Sequence, residues 1–169
     1  MSGGRINWFP GHMNKAKREI GKAMPKVDLV MEILDARIPG SSSNPLVPDL
    51  RGDKPFLKIL NKADLADPGV TGTWLRHLEN EPGVRAIAVQ KDHMKDVKGL
   101  LDVARGMLPP TRRGGRPILA MILGIPNVGK STLINIMSGR AVAKVGNRPA
   151  VTQQQARIKA AKDFVLLDT

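Results

Sequence analysis

Apolar residues gather in short blocks along this chain. Val27–Leu34, Pro55–Leu60 and Pro117–Leu123 are apolar at most positions, β-branched in part and short, the pattern of strands buried on both faces. Val84–Val89 reads as another strand, and Ala156–Ala161 with Phe164–Asp168 reads as a β-hairpin turning at Lys162-Asp163. Helical spacing appears between them. Asn14–Met24 sets Met13, Ala16, Ile20 and Ala23 roughly on one face, with Lys15, Arg18 and Lys22 largely off it and Pro25 as the stop. Trp8 and Phe9 precede it beside an expected turn at Pro10-Gly11-His12. Val70–Glu79 and Met94–Met107 are predicted helices, the latter with an apolar stripe through Val97, Leu100, Leu101, Ala104 and Leu108. Thr132–Ser138 is a further one, ended by Gly139. The expected fold class is α/β, a mostly parallel sheet with helices on both faces, carrying a basic helical extension over residues 1–26 ahead of one domain over 27–169.

Chemistry enters at the end of the Pro117–Leu123 strand. Gly124-Ile-Pro-Asn-Val-Gly-Lys-Ser131 satisfies G-x-x-x-x-G-K-[ST], where glycines let backbone N–H groups turn inward on phosphates, Lys130 reaches the β/γ-phosphates and the Ser131 hydroxyl reaches Mg²⁺. A chance match in a chain of this length is on the order of half a per cent, and the strand-loop-helix context lowers it further. Asn127, Val128, Gly129 and Thr132 belong to the same loop and the start of its helix, whose N-terminus favours anions.

The second signal closes the Pro55–Leu60 strand. In Asn61-Lys62-Ala63-Asp64 a carboxylate can accept both the ring N–H and the exocyclic amino group of guanine, while Asn61 and Lys62 brace base and loop. Adenine offers no such pair of donors, so an ATPase reading requires Asp64 to be unrelated to the base. The Gly-, Pro- and Ser-rich loop after Val27–Leu34, from Asp35 to Asn44, stands where α/β proteins place ligand contacts. Thr152 is a hydroxyl able to reach a bound metal, and Asp168 ends an apolar strand from which a carboxylate can hold Mg²⁺ through water.

Composition narrows the partners. A net charge of +12 in 169 residues points to nucleic acid, and with three Phe, two Trp and no Tyr the contact is expected through phosphates and RNA shape rather than base stacking. Pro109–Pro117, with three arginines, is either an RNA contact or a solvated linker. No apolar run reaches membrane-span length, the first residues lack a signal-peptide core, and cysteine is absent, so a cytoplasmic monomer without membrane contact is expected.

In common GTP-binding domains the phosphate loop comes first; here Asn61–Asp64 precedes it, which implies a circular permutation. That order, with Asn7-Trp-Phe-Pro-Gly-His-Met-Asn-Lys-Ala16, Asp35-Ala-Arg-Ile-Pro39, Arg148-Pro-Ala-Val-Thr152 and Leu167-Asp-Thr169, resembles the ribosome biogenesis GTPase A family. The resemblance implies a GTPase that binds the maturing large ribosomal subunit and its rRNA and is stimulated by it. It implies that Lys130 and Ser131 serve phosphate and Mg²⁺, that Asn61, Lys62 and Asp64 read guanine, and that Thr152 and Asp168 belong to the two switches. It further implies that Asn127 helps hold K⁺ and that His12 assists hydrolysis. The chain departs from the family at Ala150, where glycine is usual, and in Ala88–Asp92; its end at Asp168-Thr169 reads as a truncation. A non-hydrolysing guanine-nucleotide and rRNA-binding fragment is the alternative reading.

Overall fold

The computed structural model describes residues 10–109, 115–143 and 155–169, with side chains from residue 14 onward. Helix α1 (Pro10–Ala23) passes into a 3₁₀ turn at Met24–Lys26, followed by β1 (Leu29–Asp35), the short helices α2 (Pro39–Ser42) and α3 (Val47–Leu50), and β2 (Phe56–Asn61). Next come α4 (Pro68–Glu79), β3 (Val84–Ala88), α5 (Met94–Lys98), α6 (Leu100–Gly106), β4 (Ile118–Leu123), α7 (Lys130–Ser138), β5 (Ala156–Ala161) and β6 (Phe164–Asp168). The six strands form one sheet in the order β3-β2-β1-β4-β6-β5, parallel except for β5. Every parallel strand therefore ends at the same edge, and the loops after β1, β2 and β4 and the end of β6 meet there.

Strand pleating sorts the core into two layers. Leu29, Met31 and Ile33 of β1 join Val97, Leu100, Ala104, Leu133 and Ile134 under α5, α6 and α7. Across the sheet, Val30, Phe56, Met121 and Leu167 pack with Ile20, Ala23 and Met24 of α1 and its turn. Full burial of a side chain such as Ile20 contributes about 1.5–3 kcal/mol, which is what seats the N-terminal helix on the sheet. Leu34, Ala36 and Leu60 continue that layer against Trp74, Leu75 and Leu78 of α4.

Two expectations are corrected. The turn placed at Pro10–His12 is the start of α1, since proline at the first helical position loses no hydrogen bond the helix needs. The helix expected over 94–107 divides into α5 and α6 at Gly99, which keeps right-handed dihedrals (φ −64°, ψ −14°) and still bonds Lys95 and Val103, so no loop separates the two. Within β1 and β2, Glu32 and Lys58, paired in register, are both buried, with Glu32 Oε1 4.0 Å from Lys58 Nζ and Oε2 accepting the Asn44 N–H at 2.8 Å. Burial pushes the Glu32 carboxyl above the ordinary range, against the lowering pull of Asn44 and Lys58.

Candidate functional site

The loop between β4 and α7 is shaped by three backbone positions. Asn127 (φ 71°) and Gly129 (φ 90°) are left-handed, and a Cβ on Gly124 would stand 2.9 Å from Val128 Cγ2, so the first glycine is required by close packing. Val128 is buried and anchors the loop from within. Lys130, Ser131 and Thr132 then open α7, whose first N–H groups have no partner within the helix.

Asn61 and Lys62 are fastened to that loop. Asn61 Nδ2 donates to the Val128 carbonyl at 2.9 Å, and Lys62, itself left-handed at φ 62°, donates through Nζ to the Asn127 carbonyl at 2.6 Å. The approach is so close that a Cβ on Gly129 would lie 2.5 Å from Asn61 Nδ2. Segments more than sixty residues apart in sequence thus share one wall. Asn61, Lys62, Asp64, Leu65, Gly129 and Thr132 line a 230 Å³ cleft together with Arg37 and Lys91. Asn61 Oδ1 is buried with no hydrogen-bond partner among the described residues.

At the other end, Lys130 Nζ stands 2.7 Å from Asp168 Oδ1 and donates to the Thr169 carbonyl at 2.8 Å. Ser131 and Asp168 supply hydroxyl and carboxylate oxygens, the hard donors Mg²⁺ takes alongside phosphates and water. Among the described residues there is no group of three or more His, Cys, Asp or Glu that could hold a metal ion. Thr152 and Ala150 lie outside the described residues, as does the side chain of His12, whose backbone is in α1.

The family model described as "50S ribosome-binding GTPase" matches residues 119–169. Ribosome biogenesis GTPase A of Bacillus pumilus is 43% identical over 171 residues, covering 97% of this chain and 60% of the relative. The chain is similar to ribosome biogenesis GTPase A proteins. Short integuments 2, mitochondrial, of Arabidopsis thaliana is 40% identical across 94% of the chain and 44% of its own length. Mitochondrial ribosome-associated GTPase 1 of Mus musculus is 38% identical across 86% and 48%. The crystal structure of YjeQ from Thermotoga maritima shares the fold, with a TM-score of 0.50 and 16% identity over 84% of this chain and 47% of that one. The fold is that of a circularly permuted P-loop GTPase, and the chain spans about 60% of the length of the ribosome biogenesis GTPase A proteins it matches. Among the described residues no helix is long and apolar enough to cross a membrane.

Three cleft residues, Arg37, Leu65 and Lys91, have no assigned role in the sequence. Arg37 stood inside the family-like Asp35–Pro39 stretch, and Lys91 in the segment after β3 that departs from the family pattern. The hint for Arg37 was its place two residues past the end of a strand buried at every position. Nothing in composition or spacing marked Lys91.

Proposed function

We propose that this chain binds and hydrolyses GTP and acts in assembly of the large ribosomal subunit. The observation carrying the proposal is the pair of bonds from Asn61 and Lys62 to the Val128 and Asn127 carbonyls, which makes the base-reading tetrapeptide and the phosphate loop one cleft. In this reading Asp64 accepts the two guanine N–H groups, Lys62 and Asn61 hold the loop against the base, and the backbone N–H groups of Val128, Gly129, Lys130 and Thr132 cradle the phosphates. Ser131, Asp168 and Thr152 would hold Mg²⁺, which would supply counter-charge to the phosphates. Lys130 places its ammonium on the same oxygens, exchanging the Asp168 contact for phosphate, and His12 orients the attacking water as a neutral imidazole. Asn127, exposed on the loop, is the residue we assign to a K⁺ ion.

For the partner, rRNA of the large subunit, the support is the charge of +12 and the exposed Lys15, Lys17, Arg18 and Lys22 of α1, together with the printed names of the relatives. The bacterial relatives at 42–44% identity support a cytoplasmic setting, and we infer a monomer. Single-turnover GTP hydrolysis, measured with and without large subunits, tests the proposal. Phosphate release should rise with subunits, depend on K⁺ over Na⁺, and vanish in Lys130→Ala. GDP binding without any release under these conditions would leave a non-hydrolysing binding module instead.

A further inference from the structure

We propose that Arg37 contacts the purine, laying its guanidinium plane against the base, and that Asp35 holds it there while steering Lys62. The inference rests on the guanine-nucleotide reading of the cleft and adds to it a base contact and the residue that positions it.

Asp35 is the last residue of β1 and stands in register with Asn61. Its Oδ1 accepts the Arg37 backbone N–H and Nε, each at 3.0 Å, and its Oδ2 accepts Arg37 Nη2 at 2.7 Å. One carboxylate therefore fixes both the turn of the chain after β1 and the plane of the guanidinium. The same Oδ2 is 3.9 Å from Lys62 Nζ, the ammonium that bonds the Asn127 carbonyl. Asp35 is buried, with its backbone N–H received by Ser42 Oγ at 3.0 Å, so the hub itself is rigid. The Arg37 hydrogen bonds hold the Asp35 carboxyl below the usual carboxylate range, and it stays charged throughout the neutral region.

Stability gives weak reason for this arrangement. The Arg37 side chain is 47% exposed, and ion pairs of that kind contribute about 0–1 kcal/mol. Recognition gives a stronger one. A purine presents two flat apolar faces, yet no aromatic side chain is among the residues lining the cleft. Arginine is the non-aromatic side chain with a planar head that stacks on rings, and pairing with Asp35 orients that plane in advance. Two of its nitrogens are engaged by Asp35; Nη1 has no hydrogen-bond partner among the described residues and is left to the nucleoside.

Calorimetric titration of the whole chain with GDP and with inosine diphosphate tests the assignment, alongside melting of the nucleotide-free protein. Arg37→Ala should weaken both nucleotides by about tenfold, the scale of a desolvated cation–π contact. Arg37→Lys should fail to restore binding because lysine has no plane, and Asp35→Asn should weaken both nucleotides as well. The free-protein midpoint of Arg37→Ala should fall only slightly, by no more than a half-exposed ion pair contributes, whereas Asp64→Ala should erase the preference for GDP over inosine diphosphate. If wild type binds GDP and Arg37→Ala binds within twofold of it, or Arg37→Lys is fully competent, the contact is refuted. If Arg37→Ala melts markedly lower without nucleotide, its role is structural and the proposal fails. A wild-type chain that does not bind GDP would sink the guanine-nucleotide reading itself.

Discussion

Placing alanine at Gly129 should damage the protein in two separable ways. The first is backbone strain: at φ 90° an L-residue costs about 1–2 kcal/mol. The second is collision, because the new Cβ would lie 2.5 Å from Asn61 Nδ2 and 3.8 Å from its Cγ. Asn61 must then swing away from the Val128 carbonyl, and a buried polar group left unpaired costs about 1–3 kcal/mol. Gly129→Ala alone should therefore lose about 2–5 kcal/mol. In an Asn61→Ala background only the strain remains, so the same change should cost about 1–2 kcal/mol. The difference is a coupling of about 1–3 kcal/mol, measurable as a double-mutant cycle by urea denaturation of the four proteins. Additive losses would mean that Asn61 and the phosphate loop are independent, and the shared-wall geometry would be refuted.

Glu32→Ala should destabilise by about 3 kcal/mol, since it strands Lys58 and the Asn44 N–H in the core, while Glu32→Leu with Lys58→Met should cost less; denaturant midpoints decide, and equal losses would refute the buried-pair account. Because the Asp35 carboxyl is lowered in the folded state, its contribution is fully present above the ordinary aspartate pKa and is lost as pH falls through the folded value. Asp35→Asn should flatten the acid limb of stability against pH, and an unchanged limb would contradict the assignment. Arg105, bonded to Asp163 at 2.8 and 2.7 Å, ties α6 to the β5–β6 turn; its removal should cost no more than about 1 kcal/mol, less at high salt, because Asp163 is exposed.

The parts of this fold that could be read from the chain are those where residue type and spacing serve one purpose. Strand β4 occupies 118–123 against an expected 117–123, because a run buried on both faces has no competing reading. The hairpin turn at Lys162-Asp163 and the stop at Gly139 follow the same logic, Gly139 taking a left-handed φ of 69°. Helices α2 and α3 went unread since four residues give no period. Glu32 and Lys58 look like surface residues in isolation; only their pairing across β1 and β2 explains their burial. For the site, the two motifs announced themselves through spacing. Their joint wall did not, because Asn61 meets the loop through a backbone carbonyl, and any residue at 128 supplies one. Asp35 and Arg37 were likewise invisible as a pair until the turn after β1 folded one onto the other.

The central claim is that a single guanine nucleotide spans Asp64 and Lys130, and exchange of the base tests it most directly. Asp64→Asn replaces an acceptor-only carboxylate with an amide that can accept one N–H and donate to the carbonyl xanthine carries in place of the guanine amino group. Titrating GDP and xanthosine diphosphate into both proteins should show wild type preferring GDP and Asp64→Asn preferring xanthosine diphosphate. An Asp64→Asn protein that keeps wild-type affinity for GDP, with no gain for xanthosine diphosphate, would contradict the account.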